Sequence, residues 1–519
     1  TLFSKSSFQA ITKKVGLYSR LHCSEYQFMS KCLCHRAIWL ILLSFVIALQ
    51  ATGLPAETSR TTAPAPKKQL RAGAATSNIT PKLGVSINGN FHDTKATHVH
   101  DELHARCLVL DNGETRLAFV VVDSCLIKRE IFDQAKRLIH EQTGLPADHI
   151  LISSTHSHSA AASASIFQSE ADPEYIHFLI PRIADGVHRA INNLAPAKIA
   201  WGIANETNQV FNRRWKMKPG AVLANPFGGT DEVKMNPPVA NPNLLEPAGP
   251  TDPGITFLSV QSPEGRPIAL LANYSLHYVG GVPDGVISAD YYGAFAERIT
   301  QLISAEHLDP DFVAIMSNGT SGNINNIDFR HPHKQLPPFG QIHLVADAVA
   351  NEVYSVYKTL QYQDWVPLQM LQSEINLGVR HPSEEEIDRA KTILTKTGDM
   401  KDLKTPQEIY ARETILLKDY PQHVPLILQT IKIGDLAIVG IPCEVFAETG
   451  LAIKEKSPFK PTFTISLANG WNGYLPTPEQ HKLGGYETWR ARSSYLEVDA
   501  STKIFDTVMT SLSHLQSER

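Results

Sequence analysis

Short, nearly continuous apolar runs alternate along this chain with longer stretches in which apolar residues return every three or four positions. Runs of the first kind suit strands buried on both faces, and stretches of the second suit helices with one face against a core. Residues 117–122 form such a run and close on Asp123. Helical spacing then covers 129–143 and stops at Gly144-Leu-Pro146, a glycine followed by a proline, which is a helix C-terminal signal. Residues 150–152 predict the next strand, 175–194 a helix and 198–203 a strand again. After an Asn-, Pro- and Gly-rich stretch over 206–254, expected to run across the surface, strands are predicted over 255–261, 267–276 and 312–316. Helices are predicted over 290–303 and 339–360, and two more with charged faces lie within 383–420. A hairpin of 424–433 with 436–441 turns at Gly434-Asp435, and 462–467 is the last core strand. The succession predicts an α/β fold, a layered mixed sheet flanked by helices, with parallel and mixed pairing both open.

Composition changes this picture at one end. The 519 residues can bury a large core, and a net charge of -4 offers no global basic surface, so a nucleic-acid partner is not expected. Lys31-Cys-Leu-Cys-His-Arg36 precedes an uncharged apolar run over 37–49 and small residues to Ala56. That order predicts a secretory signal, and hence a secreted, periplasmic or cell-surface protein. With Met29 just upstream, 1–28 reads as an over-extended start, so 1–56 is start plus leader. Residues 57–74, rich in Ser, Thr, Ala and Pro at their beginning, read as a linker, and 75–519 as one catalytic domain. Beyond the leader only Cys107, Cys125 and Cys443 remain, at wide spacings, which is no disulfide framework.

The candidate chemistry sits where strands end. His156 and His158 follow the strand at 150–152 in Thr155-His-Ser-His-Ser159, and His277 closes the strand from 267. The strand from 312 runs into Ser317-Asn-Gly-Thr-Ser-Gly-Asn-Ile-Asn-Asn326, the hairpin ends in Pro442-Cys-Glu444, and the last strand leads to Asn469-Gly-Trp-Asn-Gly-Tyr474. Open α/β sheets gather ligands at such strand ends, and imidazole is the commonest zinc-ligating side chain. Spacing alone carries little: with 21 His about one His-x-His arises by chance, and His98/His100 and His331/His333 share the spacing. Polar residues also begin any loop, so ordinary strand termini explain the pattern too.

These segments, in this order, resemble the neutral/alkaline non-lysosomal ceramidases, zinc amidases that cleave the N-acyl bond of ceramide. Thr155-His-Ser-His-Ser159 is similar to the family's Thr-His-Thr-His-Ser, Ser275-Leu-His277 stands at its second histidine, and Ile441-Pro-Cys-Glu444 is similar to its Pro-Gly-Glu. Gly473-Tyr474 and Gly485-Tyr486 resemble a paired tyrosine element, and Asn212-Arg213 the family's Asn-Arg substrate contact. The resemblance implies zinc held by His156, His277, Glu444 and Tyr474, with zinc-bound water attacking the amide carbonyl. It also implies Tyr486 and Arg213 as oxyanion donors, with His158 either the general acid or base or a structural neighbour.

Three features depart from the family. Its Gly-Asp/Asn-x-Ser-Pro-Asn stands here as Gly322-Asn-Ile-Asn-Asn326, so Asn325 replaces a serine of the catalytic centre. The glycine-rich stretch after the histidines is Ala160-Ala-Ala-Ser163, and the family's C-terminal immunoglobulin-like module is not expected within this chain. The expected partner is a small-molecule or lipid N-acyl substrate, with peripheral membrane contact and oligomeric state left open. Two other readings stand beside the zinc amidase. One is a serine hydrolase using Ser321, whose Gly319-Thr-Ser-Gly322 lacks the second glycine of Gly-x-Ser-x-Gly. The other is a binding protein, non-catalytic or of altered specificity, that keeps the fold.

Overall fold

Alternation along each buried strand builds a sandwich, because successive side chains point to opposite faces. The computed structural model describes residues 68–332, 334–397 and 402–517, all within one compact unit. Its first sheet contains Leu70–Asn78 (β1), His104–Asp111 (β2), Arg116–Val122 (β3), Ile150–Ser154 (β4), Ala195–Asn205 (β5), Gly254–Gln261 (β6), Pro267–Tyr274 (β7) and Val313–Asn318 (β8). Their spatial order is β8-β7-β6-β5-β1-β2-β3-β4. The second sheet contains Leu368–Gly378 (β9), His423–Ile433 (β10), Leu436–Ile441 (β11) and Thr462–Ser466 (β12), in that order. Three neighbouring pairs are parallel, β3 with β4, β7 with β8 and β11 with β12, while the others are antiparallel.

The inner faces of the sheets meet in one core. From β3, Leu117, Phe119 and Val121 join Leu436, Ile438, Phe463 and Ile465 of the second sheet. The other face of β3, Ala118, Val120 and Val122, packs under helices Arg129–Thr143 (α1) and Pro173–Asn192 (α2). Helices Asp290–Leu302 (α3) and Gly340–Tyr357 (α4) cover the β7 and β8 end of the same face. Two capping boxes start the charged pair Glu384–Thr395 (α5) and Pro406–Leu417 (α6). Ala447–Lys456 (α7) and Pro478–Leu483 (α8) follow, and Ala500–Ser517 (α9) packs on the outer face of the second sheet. The layers therefore run helix, sheet, sheet, helix, with helices on both outer faces as the sequence predicts. Emptying one inner position such as Phe119→Ala removes about 3–5 kcal/mol.

Three expectations change. The segment 70–74, read as linker, is the start of β1, with Leu70, Ala72 and Ala74 in the core. Its small residues hid it, and they are small for a reason: a Cβ on Gly73 would collide with the backbone at Ala190 and Asn193. The stretch 206–254 is not plain surface loop, since Arg214–Met217, Val233–Met235 and Leu244–Pro247 make a small sheet and Arg213 and Arg214 are buried. Strands β2 and β9 and helix α9 had no counterpart in the predicted elements. The leader and most of the linker lie outside the described residues. Among the described residues no helix is long and apolar enough to cross a membrane. Cys107, Cys125 and Cys443 are buried and free.

Candidate metal centre

The chain ends of β4, β7, β11 and β12 carry the polar segments that converge here. After β4 the backbone turns sharply, and His156 has φ 79°, a left-handed conformation that costs a non-glycine residue about 1–3 kcal/mol. Its N–H is held by the Ser124 carbonyl at 2.8 Å. The turn presents Nδ1 to the carbonyl of Cys125 at 2.6 Å. His277, three residues past β7, places Nδ1 3.0 Å from the carbonyl of Ser321. Each Nδ1 thus donates its proton to a backbone oxygen, which leaves a lone pair on each Nε2.

Those two Nε2 atoms face each other at 3.0 Å, and His158 Nε2 lies 3.3 Å from that of His156. Glu444 Oε2 is 3.2 Å from His156 Nε2 and 4.0 Å from His277 Nε2. The other carboxylate oxygen accepts from Trp471 Nε1 at 3.0 Å, which orients the group. Lone pairs turned toward one another repel unless a cation lies among them. Donors about 2.0–2.1 Å from a tetrahedral zinc stand roughly 3.3 Å apart, so the 3.0 and 3.2 Å from His156 to its two partners fit such an ion, and the 4.0 Å between Glu444 and His277 is the one wide separation. The donor set, imidazole nitrogen with carboxylate oxygen, suits zinc as well.

Electrostatics repeat the point. Burial disfavours charge on His156, yet the Glu444 carboxylate and then Cys125 outweigh it and raise the imidazole to about 10. Without a metal, a proton therefore takes the place of the cation. Burial first, then the neighbouring His156 and Arg213 charges, hold His158 and His277 well below the ordinary imidazole value. Burial raises Glu444, but His156 and Trp471 bring it below its usual range, so it is an anion here.

The remaining predicted residues surround this group unequally. Tyr474 is paired with Glu444 in a two-residue parallel ladder, and Arg213 lies 5.5 Å from its ring centre. Tyr486 stacks edge-on against Tyr474 at 5.7 Å, and burial keeps both phenols protonated far above neutral pH. Arg213 is buried, donating Nε to Glu487 Oε1 at 2.9 Å and Nη2 to the Gly322 carbonyl at 2.8 Å. Asn325 is tied elsewhere: its Nδ2 donates to Asn236 at 2.8 Å and its Oδ1 accepts from Ile327 N–H at 3.0 Å. Ser321 gives its hydroxyl proton to Asn318 at 2.8 Å, and the Nδ1 beside it is spent on the Ser321 carbonyl, so no imidazole serves that oxygen as base.

Several residues here carried no role in the sequence reading. Trp471 stood inside a quoted motif without one, and the carbonyls of Cys125 and Ser321 have no side-chain signature at all. Tyr278 lies flat on His158, ring centres 3.7 Å apart, and the backbone of Gly89, which the family resemblance sets near the pocket wall, comes so close that a Cβ there would strike the imidazole. Other histidines and Asp123 make their contacts elsewhere. His98 is exposed, His100 stacks on Phe339 at 3.6 Å, and His104 lies 3.5 Å from Glu102. Asp123 is buried in an ion pair with Arg106, His331 is exposed beside Asp328, and His333 lies outside the described residues. An open cleft of about 460 Å³ beside the 279–281 and 326–328 loops is lined by Phe211, Val279 and Leu336, among others, and not by His156, His158 or His277.

Comparison with known proteins adds to the geometry. The family described as neutral/alkaline non-lysosomal ceramidase, N-terminal, matches residues 71–328. That stretch holds His156, His158, Arg213, His277 and Asn325, whereas Glu444, Tyr474 and Tyr486 lie beyond it. The fold is similar to the crystal structure of neutral ceramidase from Pseudomonas aeruginosa, with TM-score 0.65 and 15% identity, covering 87% of this chain and 75% of that one. It is also similar to a ceramidase complexed with C2, with TM-score 0.66 and 15% identity, covering 87% and 76%. At such identity the likeness speaks for the fold.

Proposed function

The chain belongs, over residues 71–328, to the neutral/alkaline non-lysosomal ceramidase family, and from that premise we propose that it is an exported zinc-dependent hydrolase of N-acyl amide bonds. The observation that carries the reading is the pair of inward-facing Nε2 atoms 3.0 Å apart with the Glu444 carboxylate beside them. His156, His277 and Glu444 would hold the ion, with Tyr474 as the fourth ligand set against Glu444. When bound, zinc supplies Lewis-acid chemistry, polarising a carbonyl and making water nucleophilic near neutral pH.

The chain's own residues do the rest. His158 enters neutral, because burial and its charged neighbours depress it, so it accepts a proton from the attacking water at Nε2 and returns it to the leaving nitrogen. Tyr278 and Gly89 keep that ring in one orientation. Arg213 and the protonated Tyr486 donate to the oxygen on which negative charge develops. The ceramidase complexed with C2 motivates a lipid amide as the substrate class for this chain. The leader over 29–56 would carry the catalytic domain out of the cytoplasm.

One observation favours a second reading, a ceramidase-like fold of altered specificity or without turnover: Asn325 stands at the family's serine, with both ends of its amide already used. A panel spanning ceramide, shorter N-acyl lipids and N-acetyl sugars, run on purified protein with its zinc content measured, separates the two. About one zinc per chain with cleavage of any of these amides supports the enzyme. Zinc with binding but no product supports the second reading, and absence of zinc overturns the metal centre.

A further inference from the structure

We propose that Glu487 is the positioning residue of this centre, fixing the Arg213 guanidinium and the Tyr486 phenol as one rigid unit facing the reacting carbonyl. The inference rests on the amide-hydrolase reading above.

Backbone bonds of 2.9 Å to Asn323 and from Asn236 fix the main chain of Arg213 between the short strands Phe211–Asn212 and Arg214–Met217, but nothing in them dictates where its side chain goes. The fully buried carboxylate of Glu487 does. Its Oε1 accepts from Arg213 Nε at 2.9 Å and its Oε2 from Arg214 Nη1 at 2.7 Å. Arg214 spends its other nitrogens on structure, donating Nε to the Gln480 side chain at 3.0 Å and Nη2 to the Gln480 and Gly484 carbonyls at 3.2 and 2.7 Å. One oxygen of Glu487 is thereby anchored to helix α8 and the turn behind it, while the other grips the arginine that lies beside Tyr474. Gly322 holds a second nitrogen of Arg213 at 2.8 Å, which leaves the guanidinium little freedom.

Glu487 is also the residue after Tyr486, in the short turn Tyr486–Thr488. A carboxylate anchored at one end and bonded to Arg213 at the other therefore couples the placement of both donors. Two buried cations share this one anion, so its loss leaves them facing each other in a medium of low dielectric. The charge balance is restored when Arg213 is removed as well.

A double-mutant cycle tests this. Wild type, Glu487→Gln, Arg213→Gln and the double variant are compared for kcat and KM on the best amide of the panel, for zinc per chain and for Tm. Glu487→Gln is expected to keep its zinc and lose kcat on the order of 100-fold, as a misplaced group does, with KM within about threefold. In the Arg213→Gln background the same change is expected to cost less than about tenfold in kcat, the share that belongs to Tyr486, and the double variant to melt above Glu487→Gln. Wild-type kcat in Glu487→Gln, equal losses in both backgrounds, or zinc lost together with kcat would each overturn the proposal. Should Glu487→Gln not fold, Glu487→Asp, which keeps the charge, is judged by the same criteria. A wild-type protein that cleaves no amide sinks the hydrolase reading instead.

Discussion

His156 and His158 follow a strand buried between two layers, whereas His98 and His100 sit on an outer segment paired with Val286–Ile287 through a two-residue ladder. The spacing is the same in both. At the first pair, a left-handed backbone at His156 and the Cys125 carbonyl decide which nitrogen carries the proton and where the other points. At the second, His98 faces solvent and His100 lays its ring on Phe339. A histidine's free nitrogen is thus aimed by the group bonded to its far nitrogen more than by its neighbours in sequence.

The strongest way to break this contrast is to remove one inner imidazole. His277→Ala is expected to lose zinc and amide hydrolysis together, hydrolysis falling to background, as read by metal analysis and the substrate panel. Full zinc retention would place the ion elsewhere. Trp471→Phe keeps every ligand and frees only Glu444 Oε1. It is expected to weaken zinc by about 10–100-fold in a chelator competition, and an unchanged affinity would deny the indole its orienting role.

The third prediction concerns protons. In metal-free protein the His156 imidazole is raised from 6.5 to about 10, so its contribution to stability is complete below pH 6.5 and fades as pH rises toward 10. His158 and His277 are lowered, so stability also falls below pH 6.5, where only the unfolded chain takes up their protons. Metal-free Tm should peak near pH 6.5, and zinc should remove the alkaline decline by replacing the His156 proton. A metal-free Tm that is level from pH 6.5 to 10 would remove His156 from this account. The smallest effects belong to the outer histidines. His100→Ala and His331→Ala should keep the zinc content and shift stability by no more than about 0.5 kcal/mol, and loss of zinc in either would erase the distinction.

Much of the fold was legible because burial on both faces writes itself as continuous apolar residues: β3, β4, β7 and the β10–β11 hairpin were predicted within a few residues. Strand β1 was not, since close packing against α2 demands Ala and Gly where a strand signal would need bulk. Strand β9 interleaves Gln369, Gln372, Ser373 and Glu374 with its apolar residues, because the second sheet leaves it partly in solvent. Helix α9 carries Ile504, Val508, Leu512 and Leu515 at helical spacing, a pattern that could be read.

By itself, then, the chain determined which donors exist and that each stands just past a buried strand, since residue type and apolar period are local properties. Tertiary structure decided that His156 and His277, 121 residues apart, present the same nitrogen to the same point. It did so by bringing the chain ends of parallel strand pairs from both sheets together and by supplying the Cys125 and Ser321 carbonyls. A backbone oxygen is identical at every position, so only the fold can say which one a ring will meet.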